Sequence, residues 1–247
     1  MTMEFVAADW QKHAFKWDEP YPCYETPERE IAIVDQALEA LVQAGILPHT
    51  KYDGERFAAH RGAVRERFEI PWTAITPRMQ RLLYAINAIV QPRVMVAVGI
   101  FCGNTFISNA GAAIGPGAVY QAERLVGLEI KPTEAARARR NVASVDASRS
   151  AEVLAEDGIP WLQAFAGTID LLYLDADGTQ GRGKSIYLDL LETGLHSLRT
   201  GSLVLAHNSV NCAGELADYL AAVRDPSRFH VSMNIVVDDQ GLEVTRR

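Results

Sequence analysis

After about residue 75, short apolar runs alternate with longer segments of helical pattern, and this alternation constrains the fold more than any other feature of the sequence. Continuous apolar runs are typical of strands buried on both faces, and strands that alternate with helices build a parallel, doubly wound sheet. The apolar runs cover 94–98, 125–130, 151–154, 169–174 and 202–206, and the helical segments lie at about 106–114, 132–143, 159–165 and 185–198. We therefore predict a doubly wound, mostly parallel α/β fold.

Two β-rich stretches, 230–237 and 242–245, close the chain, and the turn residues Asp238 to Gly241 join them. A short turn between two strands makes an antiparallel hairpin. We expect this hairpin to add an antiparallel edge to the sheet.

The pattern before residue 75 is helical and contains no strand signal. Threonine followed by proline is typical of a helix start, because threonine caps the helix and proline fits its first turn. The expected helices run from Thr26 to Gly45, from Gly54 to Arg67 and from Thr76 to Pro92. We divide the chain into a helical N-terminal extension or lid, 1–75, and a main domain, 76–247.

Composition limits the function classes that need consideration. The 247 residues carry a formal net charge of −7, which argues against a nucleic-acid partner because phosphate binding needs a basic face. No apolar run approaches the roughly 18 residues of a membrane span, and the first residues lack the apolar stretch of a secretory signal. The distant cysteines Cys23, Cys102 and Cys212 form no disulfide or metal pattern, which favours the reducing cytoplasm.

The residues that follow each predicted strand are the candidates for function, because ligands bind beyond the carboxyl ends of such strands. Gly99 and Gly103 follow the first strand and allow a sharp turn and a close approach to a ligand, although a tight turn alone explains them equally well. Glu129 follows the second strand at a spacing that suits ribose hydroxyls, or it favours a helix start. Glu156 and Asp157 follow the third, where they suit an adenine amine or simply cap a turn.

The fourth and fifth strands end in further polar residues. Asp175 and Asp177 follow the fourth, and His207 and Asn208 follow the fifth. A carboxylate, an imidazole and an amide make a mixed site for a divalent ion. His207 alone is a candidate general base, and a third reading has His207 and Asn208 only capping a turn.

The order of these pieces resembles that of the class I methyltransferases that use S-adenosylmethionine (SAM), and among them the small-molecule O-methyltransferases similar to catechol O-methyltransferase. The pieces that carry the resemblance, over residues 73–247, are VGIFCGNT, GLEIKP, LYLDAD and LRTGSLVLAHNSVNCAG. The resemblance implies a Rossmann-like methyltransferase fold and SAM as cofactor.

The resemblance also assigns roles to individual residues. For the methionine part of SAM, the implied contacts are Gly99, Phe101, Gly103 and Thr105. Glu129 would bind the ribose, and Glu156 and Asp157 would face the adenine. Asp175 is a further implied cofactor contact, and the segment Trp72 to Ile75 would form part of the floor of the cofactor site. The implied metal ligands are Asp175, His207 and Asn208. Lys184 follows Asp175 somewhat as the family's catalytic lysine does, with a solvated loop lysine as the alternative.

Four features depart from the family's pattern. Ala97 stands where the family has an acidic residue two before the first glycine, and His207 replaces a carboxylate, which weakens a magnesium site and suits zinc, iron or no metal. The glycine-rich loop 178–183 looks inserted before Lys184. No counterpart of the family's catechol-binding acid is evident before Arg247.

The leading hypothesis is methyl transfer from SAM to an oxygen, less readily a nitrogen, of a small molecule, with a place in secondary metabolism. The nucleophile would be activated by His207 or Lys184 as base, or by a metal at Asp175, His207 and Asn208. One alternative keeps the fold but catalyses an intramolecular displacement such as ring closure, and another is a non-catalytic partner subunit. The N-terminal helices, which we expect to carry the aromatic residues Trp10, Phe15, Trp17, Tyr21 and Tyr24, would form a lid or a homodimer contact.

Overall fold

The computed structural model describes residues 3–72 and 75–247. Its centre is an eight-stranded sheet in the order β1-β7-β8-β6-β5-β2-β3-β4. The strands are β1 Met3–Val6, β2 Val94–Val98, β3 Arg124–Leu128, β4 Ala151–Leu154, β5 Ile169–Leu174, β6 Leu198–His207, β7 Val231–Val236 and β8 Leu242–Arg246. The helices are α1 Pro27–Gln43, α2 Gly54–Arg67, α3 Pro77–Val90, α4 Asn104–Ala110, α5 Pro132–Val145, α6 Gly158–Ala164, α7 Ile186–Gly194 and α8 Ala217–Val223.

The predicted fold class is confirmed. Among the strands of the described residues, β8 runs antiparallel to its neighbours β6 and β7, and the other strand pairings are parallel. Alternate residues of the central strands enter different apolar cores: Met95 packs with one cluster and Val96 with another. Since both faces are covered, these strands are apolar throughout. The described helices include none long and apolar enough to cross a bilayer.

The N-terminal part differs from the prediction, because it contributes a strand. Strand β1 lies parallel to β7 at the edge of the sheet, with Met3 opposite Met233. Three of its four residues are exposed. A four-residue edge strand buries too little side chain to show an apolar pattern, so pattern reading could not predict it.

The aromatic residues near the N-terminus lie outside any α-helix, contrary to the expectation of helices in this region. Between β1 and α1 the described chain forms only a short 3₁₀ turn, Trp10–Lys12. The dimer contact expected for this segment stays a prediction. The three predicted helices are confirmed as α1, α2 and α3, with Thr26 and Thr76 capping α1 and α3 as expected.

A buried arginine fixes the N-terminal segment to the main domain. Arg78, in the first turn of α3, is fully buried and donates hydrogen bonds to both carboxylate oxygens of Glu25, at 2.7 and 2.6 Å. It also donates to Asp9 Oδ1 at 2.9 Å and to the carbonyl oxygen of Val237 at 3.2 Å. Because a buried guanidinium needs all of these partners, the segment 9–25 is held against α3 and the end of β7.

A cleft at the carboxyl edge of the sheet

A cleft of about 530 Å³ lies where β2, β3, β5 and β6 end. Most of the residues proposed from the sequence line it, namely Gly99, Phe101, Thr105, Glu129, Glu156, Asp157, Asp175, Lys184, His207, Asn208 and Trp72. Ile75 and Gly103 do not line it: Ile75 is fully buried in the core and Gly103 caps α4. Thr73 and Ala74 lie outside the described residues. The cleft is where strand topology places a ligand site.

The glycine after β2 serves the packing of the protein as well as the cleft. Gly99 has a φ of +81°, and a Cβ there would lie 2.4 Å from the Cα of Ala176. The loop therefore approaches the end of β5 so closely that only glycine fits. This contact, which the sequence did not reveal, brings the glycine loop and Asp175 to the same point of the cleft.

Glu129 ties two loops together at the end of β3. Its Oε2 accepts a hydrogen bond from the Phe101 N–H at 2.8 Å, and its Oε1 accepts from the Lys131 N–H at 2.9 Å. Helix α5 begins only at Pro132, so Glu129 does not stand in the first turn of the helix. Each carboxylate oxygen keeps a further lone pair, and this leaves Glu129 able to accept from a diol.

Asp157 performs the capping role that was the alternative reading of its position. Its Oδ1 accepts from the Ile159 N–H at 2.9 Å and begins α6. Both Asp157 and the exposed Glu156 border the cleft. Contact of either side chain with adenine stays a prediction.

Lys184 and Asp175 form a buried ion pair at the deep end of the cleft. The Lys184 Nζ lies 3.0 Å from Asp175 Oδ1, 3.1 Å from the Asp175 carbonyl oxygen and 3.5 Å from Asp177 Oδ1. Lys184 is 8% exposed, so it is not the solvated loop lysine of the alternative reading. The loop 178–183 folds back on itself and returns Lys184 to the strand end from which the chain left.

Both Asp175 and Lys184 are ionised, and this decides whether Lys184 can serve as the catalytic base. Burial alone would raise the pKa of Asp175, but Lys184 and His207 outweigh burial and lower it. Burial alone would lower the pKa of Lys184, but Asp175 and Asp177 outweigh burial and raise it. Lys184 is therefore an ammonium at neutral pH and donates hydrogen bonds in this arrangement. To act as the base that the sequence suggested, Lys184 would first have to lose a proton.

His207, the last residue of β6, is 1% exposed. Its Nδ1 lies 3.4 Å from Asp175 Oδ2, yet neither ring nitrogen has a hydrogen-bond partner among the described residues. The distance is close enough for electrostatic attraction, whereas the direction is unsuited to a hydrogen bond. A buried imidazole that lines the cleft without a partner is available to a ligand.

Asn208 has a structural role in the turn after β6. It adopts a left-handed conformation with a φ of +67°, its N–H donates to the Gly241 carbonyl at 3.1 Å, and its Nδ2 donates to Asn211 Oδ1 at 3.1 Å. The turn-capping reading thus describes Asn208, which also borders the cleft, but it does not describe His207.

These side chains do not fit a magnesium site. Magnesium is bound through oxygen ligands, mostly carboxylates and water, whereas the set here is one carboxylate, one imidazole and one amide. The Lys184 ammonium already binds Oδ1 of Asp175, and the His207 ring lies 3.4 Å from Oδ2. A second cluster with metal-binding spacing, Asp9, His13 and Glu25, surrounds the Arg78 guanidinium, which supplies its positive charge.

Aromatic rings cover one side of the cleft. Trp72 stacks on Phe101 of the glycine loop at 4.8 Å between centroids, and Trp17 lies 4.7 Å from Trp72. Phe15 contacts both tryptophans. Trp17 is nevertheless 66% exposed. The N-terminal segment therefore reaches the cleft through an irregular stretch of chain, in the position that the predicted lid would take.

Sequence reasoning missed Gln240, which lines the cleft from the turn between β7 and β8. It is 6% exposed, and its Oε1 has no partner among the described residues. The sequence showed only a turn, because nothing in it indicated that the hairpin folds back over the end of β6.

The comparisons agree with this architecture. A family model described as a methyltransferase domain matches residues 96–209. No curated protein shows significant sequence similarity to the chain.

Solved structures share the fold at low sequence identity. The SAH-bound methyltransferase PaMTH1 of Podospora anserina is 14% identical over 92% of this chain and 99% of that one, with a TM-score of 0.59. A methyltransferase of Geobacter sulfurreducens is 22% identical over 87% and 98%, with a TM-score of 0.56. An O-methyltransferase of Bacillus cereus in complex with SAH is 17% identical over 87% and 97%, with a TM-score of 0.55. The matched domain model and the shared fold together show that residues 96–209 resemble a methyltransferase domain and that the chain has the fold of SAM-dependent methyltransferases.

Proposed function

We propose that this protein transfers a methyl group from SAM to a hydroxyl oxygen of a small molecule. The observation that carries the proposal is His207, a buried imidazole without a partner that faces Asp175 inside the cleft. An imidazole with a carboxylate 3.4 Å from one ring nitrogen is suited to take a proton from a hydroxyl group, because the carboxylate stabilises the charge that results.

Glu129 and Thr105 support binding of SAM in the same cleft. Glu129 has free lone pairs for the ribose hydroxyls, and the Thr105 hydroxyl lines the cleft, buried and without a partner among the described residues. Buried polar atoms of this kind are costly unless a ligand satisfies them. Phe101 and Trp72 would shield the reacting groups from water.

When bound, SAM supplies a methyl group whose bond to the sulfonium sulfur breaks, leaving the electron pair on sulfur, as the bond to the acceptor oxygen forms. His207 accepts the hydroxyl proton, and Asp175 stabilises the resulting imidazolium. Lys184 keeps Asp175 ionised throughout. The cleft contributes chiefly by holding the acceptor in line with the methyl group.

An oxygen acceptor is favoured over nitrogen because a base is present where the reaction occurs. A neutral amine is already nucleophilic, whereas a hydroxyl group gains most from losing its proton. The cleft volume of about 530 Å³ lies within the range of small-molecule binding sites.

A panel of phenols, other alcohols and amines incubated with SAM and analysed by mass spectrometry tests the proposal. We expect a hydroxyl compound to gain one methyl group, and His207→Gln to lower kcat by about 100-fold or more while SAH still binds. A methylated amine as the only product, or a His207→Gln enzyme of unchanged kcat, would contradict the oxygen assignment.

Ala97 motivates a second candidate, an intramolecular displacement without methyl transfer. It is fully buried in β2 between Gly127 and Tyr173 and offers no carboxylate to the SAM ammonium. Conversion of a substrate in the absence of SAM, with loss of the substrate's own leaving group and no gain of a methyl group, would support this candidate. Strict dependence on SAM with a methylated product would exclude it.

A further inference from the structure

We propose that the Lys184 ammonium occupies the position of a divalent cation beside Asp175 and His207, so that this methyltransferase works without a metal ion. The catalytic meaning of this inference rests on the proposed methyl transfer, whereas the cation site can be tested by itself. The inference concerns a positioning residue, because Lys184 acts through Asp175.

Oxygen atoms of the chain surround the Lys184 ammonium. An ammonium has three protons, and three oxygens surround the Lys184 Nζ: Asp175 Oδ1, the Asp175 carbonyl and Asp177 Oδ1, between 3.0 and 3.5 Å away. The Nζ also lies over the ring of Tyr187, 5.7 Å from its centroid, in a cation–π contact. Two hydrogen bonds to Asp175 and an ion pair with Asp177 therefore hold the ammonium at this end of the cleft.

The loop 178–183 builds this position. The Gly178 N–H donates to the Gly183 carbonyl at 2.8 Å, which closes the loop, and the Lys184 N–H donates to Glu215 Oε2 at 2.6 Å. Gly183 has a φ of +50°, and a Cβ there would lie 2.1 Å from that same Glu215 oxygen. The backbone of Lys184 is thus fixed by the loop and by Glu215, so its side chain does not reach the site by chance.

A divalent ion could bind Asp175 only at the expense of this arrangement. It would need the carboxylate oxygen that Lys184 holds, and it would lie within a few ångströms of a like charge. His207 faces the other oxygen, and the Asn208 amide nitrogen donates to Asn211. One cation therefore neutralises Asp175, and that cation belongs to the chain.

Removing the ammonium should open the site to a metal. The test is a titration of the tag-free protein with Mn²⁺, followed by electron paramagnetic resonance in the presence of SAH. Wild type and Lys184→Arg, which keeps the positive charge, should bind no Mn²⁺ in the cleft at millimolar concentration. Lys184→Gln should bind one Mn²⁺ at least about tenfold more tightly, and a second change, Asp175→Asn, should abolish that binding.

Two results would overturn the inference. One is a stoichiometric Mn²⁺ ion in the wild type that is lost in Asp175→Asn. The other is a Lys184→Gln protein that binds SAH and unfolds like the wild type but takes up no Mn²⁺. Lys184→Met serves as a second neutral variant if Lys184→Gln does not fold, and the exposed Lys51→Gln is the control for loss of a lysine elsewhere. Failure of the wild type to bind SAH would instead refute the proposed function.

Discussion

Asp175 contacts three separate parts of the cleft. Its Oδ1 faces Lys184, its Oδ2 faces His207, and its backbone lies against Gly99. A single carboxylate therefore links the inserted loop, the last residue of β6 and the glycine loop. The low pKa of Asp175, which Lys184 and His207 maintain against burial, keeps this link charged.

Gly99→Ala should be among the most destabilising single methyl additions in the chain. The positive φ and the 2.4 Å approach to Ala176 add conformational strain to a steric clash, and together they should cost roughly 2 to 5 kcal/mol of unfolding free energy. Gly201→Ala is the matched control, since its φ is +93° but a Cβ there meets nothing within 4 Å. It should cost only about 1 to 2 kcal/mol. Urea unfolding measures the unfolding free energy of both variants. Equal losses in the two would show that the structure relaxes to relieve the clash with Ala176.

The positions of the site residues were more predictable than their contacts. Glu129, Asp175 and His207 follow apolar strands, and topology brings the ends of parallel strands to one edge. The environment of Lys184 was not predictable, because it depends on how a loop of six residues folds and on Glu215, which lies 31 positions away. Asp157 was ambiguous since a cap and a ligand contact require the same residue type at the same place.

Among the elements, long apolar strands and capped helices were predictable, and irregular or short ones were not. Helix α2 has the predicted bounds, whereas α4 spans Asn104–Ala110 in place of the predicted 106–114. Strand β1 was missed because it exists only through pairing with β7, more than 200 residues away. Such pairing leaves no local periodicity for a sequence pattern to show.

The turn between β7 and β8 should make stability depend on pH. Burial, with Asp238 adding to it, raises the pKa of Asp239 to about 6. Because folding raises this pKa, the contribution of Asp239 to stability is complete below its unfolded value of 3.8 and is lost as the pH rises through about 6.

Asp239→Asn should remove this dependence. At about pH 8 the variant should be more stable than the wild type by roughly 1 to 2 kcal/mol, after allowance for solvent screening of a half-buried group, and the difference should vanish near pH 4. Thermal unfolding across this range measures it. A constant difference at all pH values would mean that the carboxylate acts through its hydrogen bonds and not through its charge.

At the scale of the whole molecule, Arg78 joins the N-terminal segment to the α/β domain. Removing one partner of a buried ion cluster leaves the others uncompensated, so Arg78→Ala should lower the unfolding free energy by about 3 to 5 kcal/mol. Glu25→Gln offers a milder change if that variant does not fold. Limited proteolysis should release the N-terminal segment first, whereas Arg93→Ala, on the surface, should change little. Unaltered proteolysis of a folded Arg78→Ala protein would show that β1 alone anchors the segment.

The same connection should matter for ligand binding, because the anchored segment carries Phe15 and Trp17 to the cleft. The lid that we expected from the sequence is thus compatible with the fold, although it is built from irregular chain and an edge strand. Its closure over a ligand stays a prediction.

Calorimetric titration of the protein with SAH tests the central claim, that the cleft beside Glu129 binds the cofactor. We predict one site per chain with micromolar affinity, without added metal, and a loss of roughly 10- to 100-fold in Glu129→Ala because hydrogen bonds to a charged group disappear. The exposed Glu66→Ala should bind as the wild type does. Absence of SAH binding in the wild type, or equal affinity in Glu129→Ala, would contradict the assignment of this cleft.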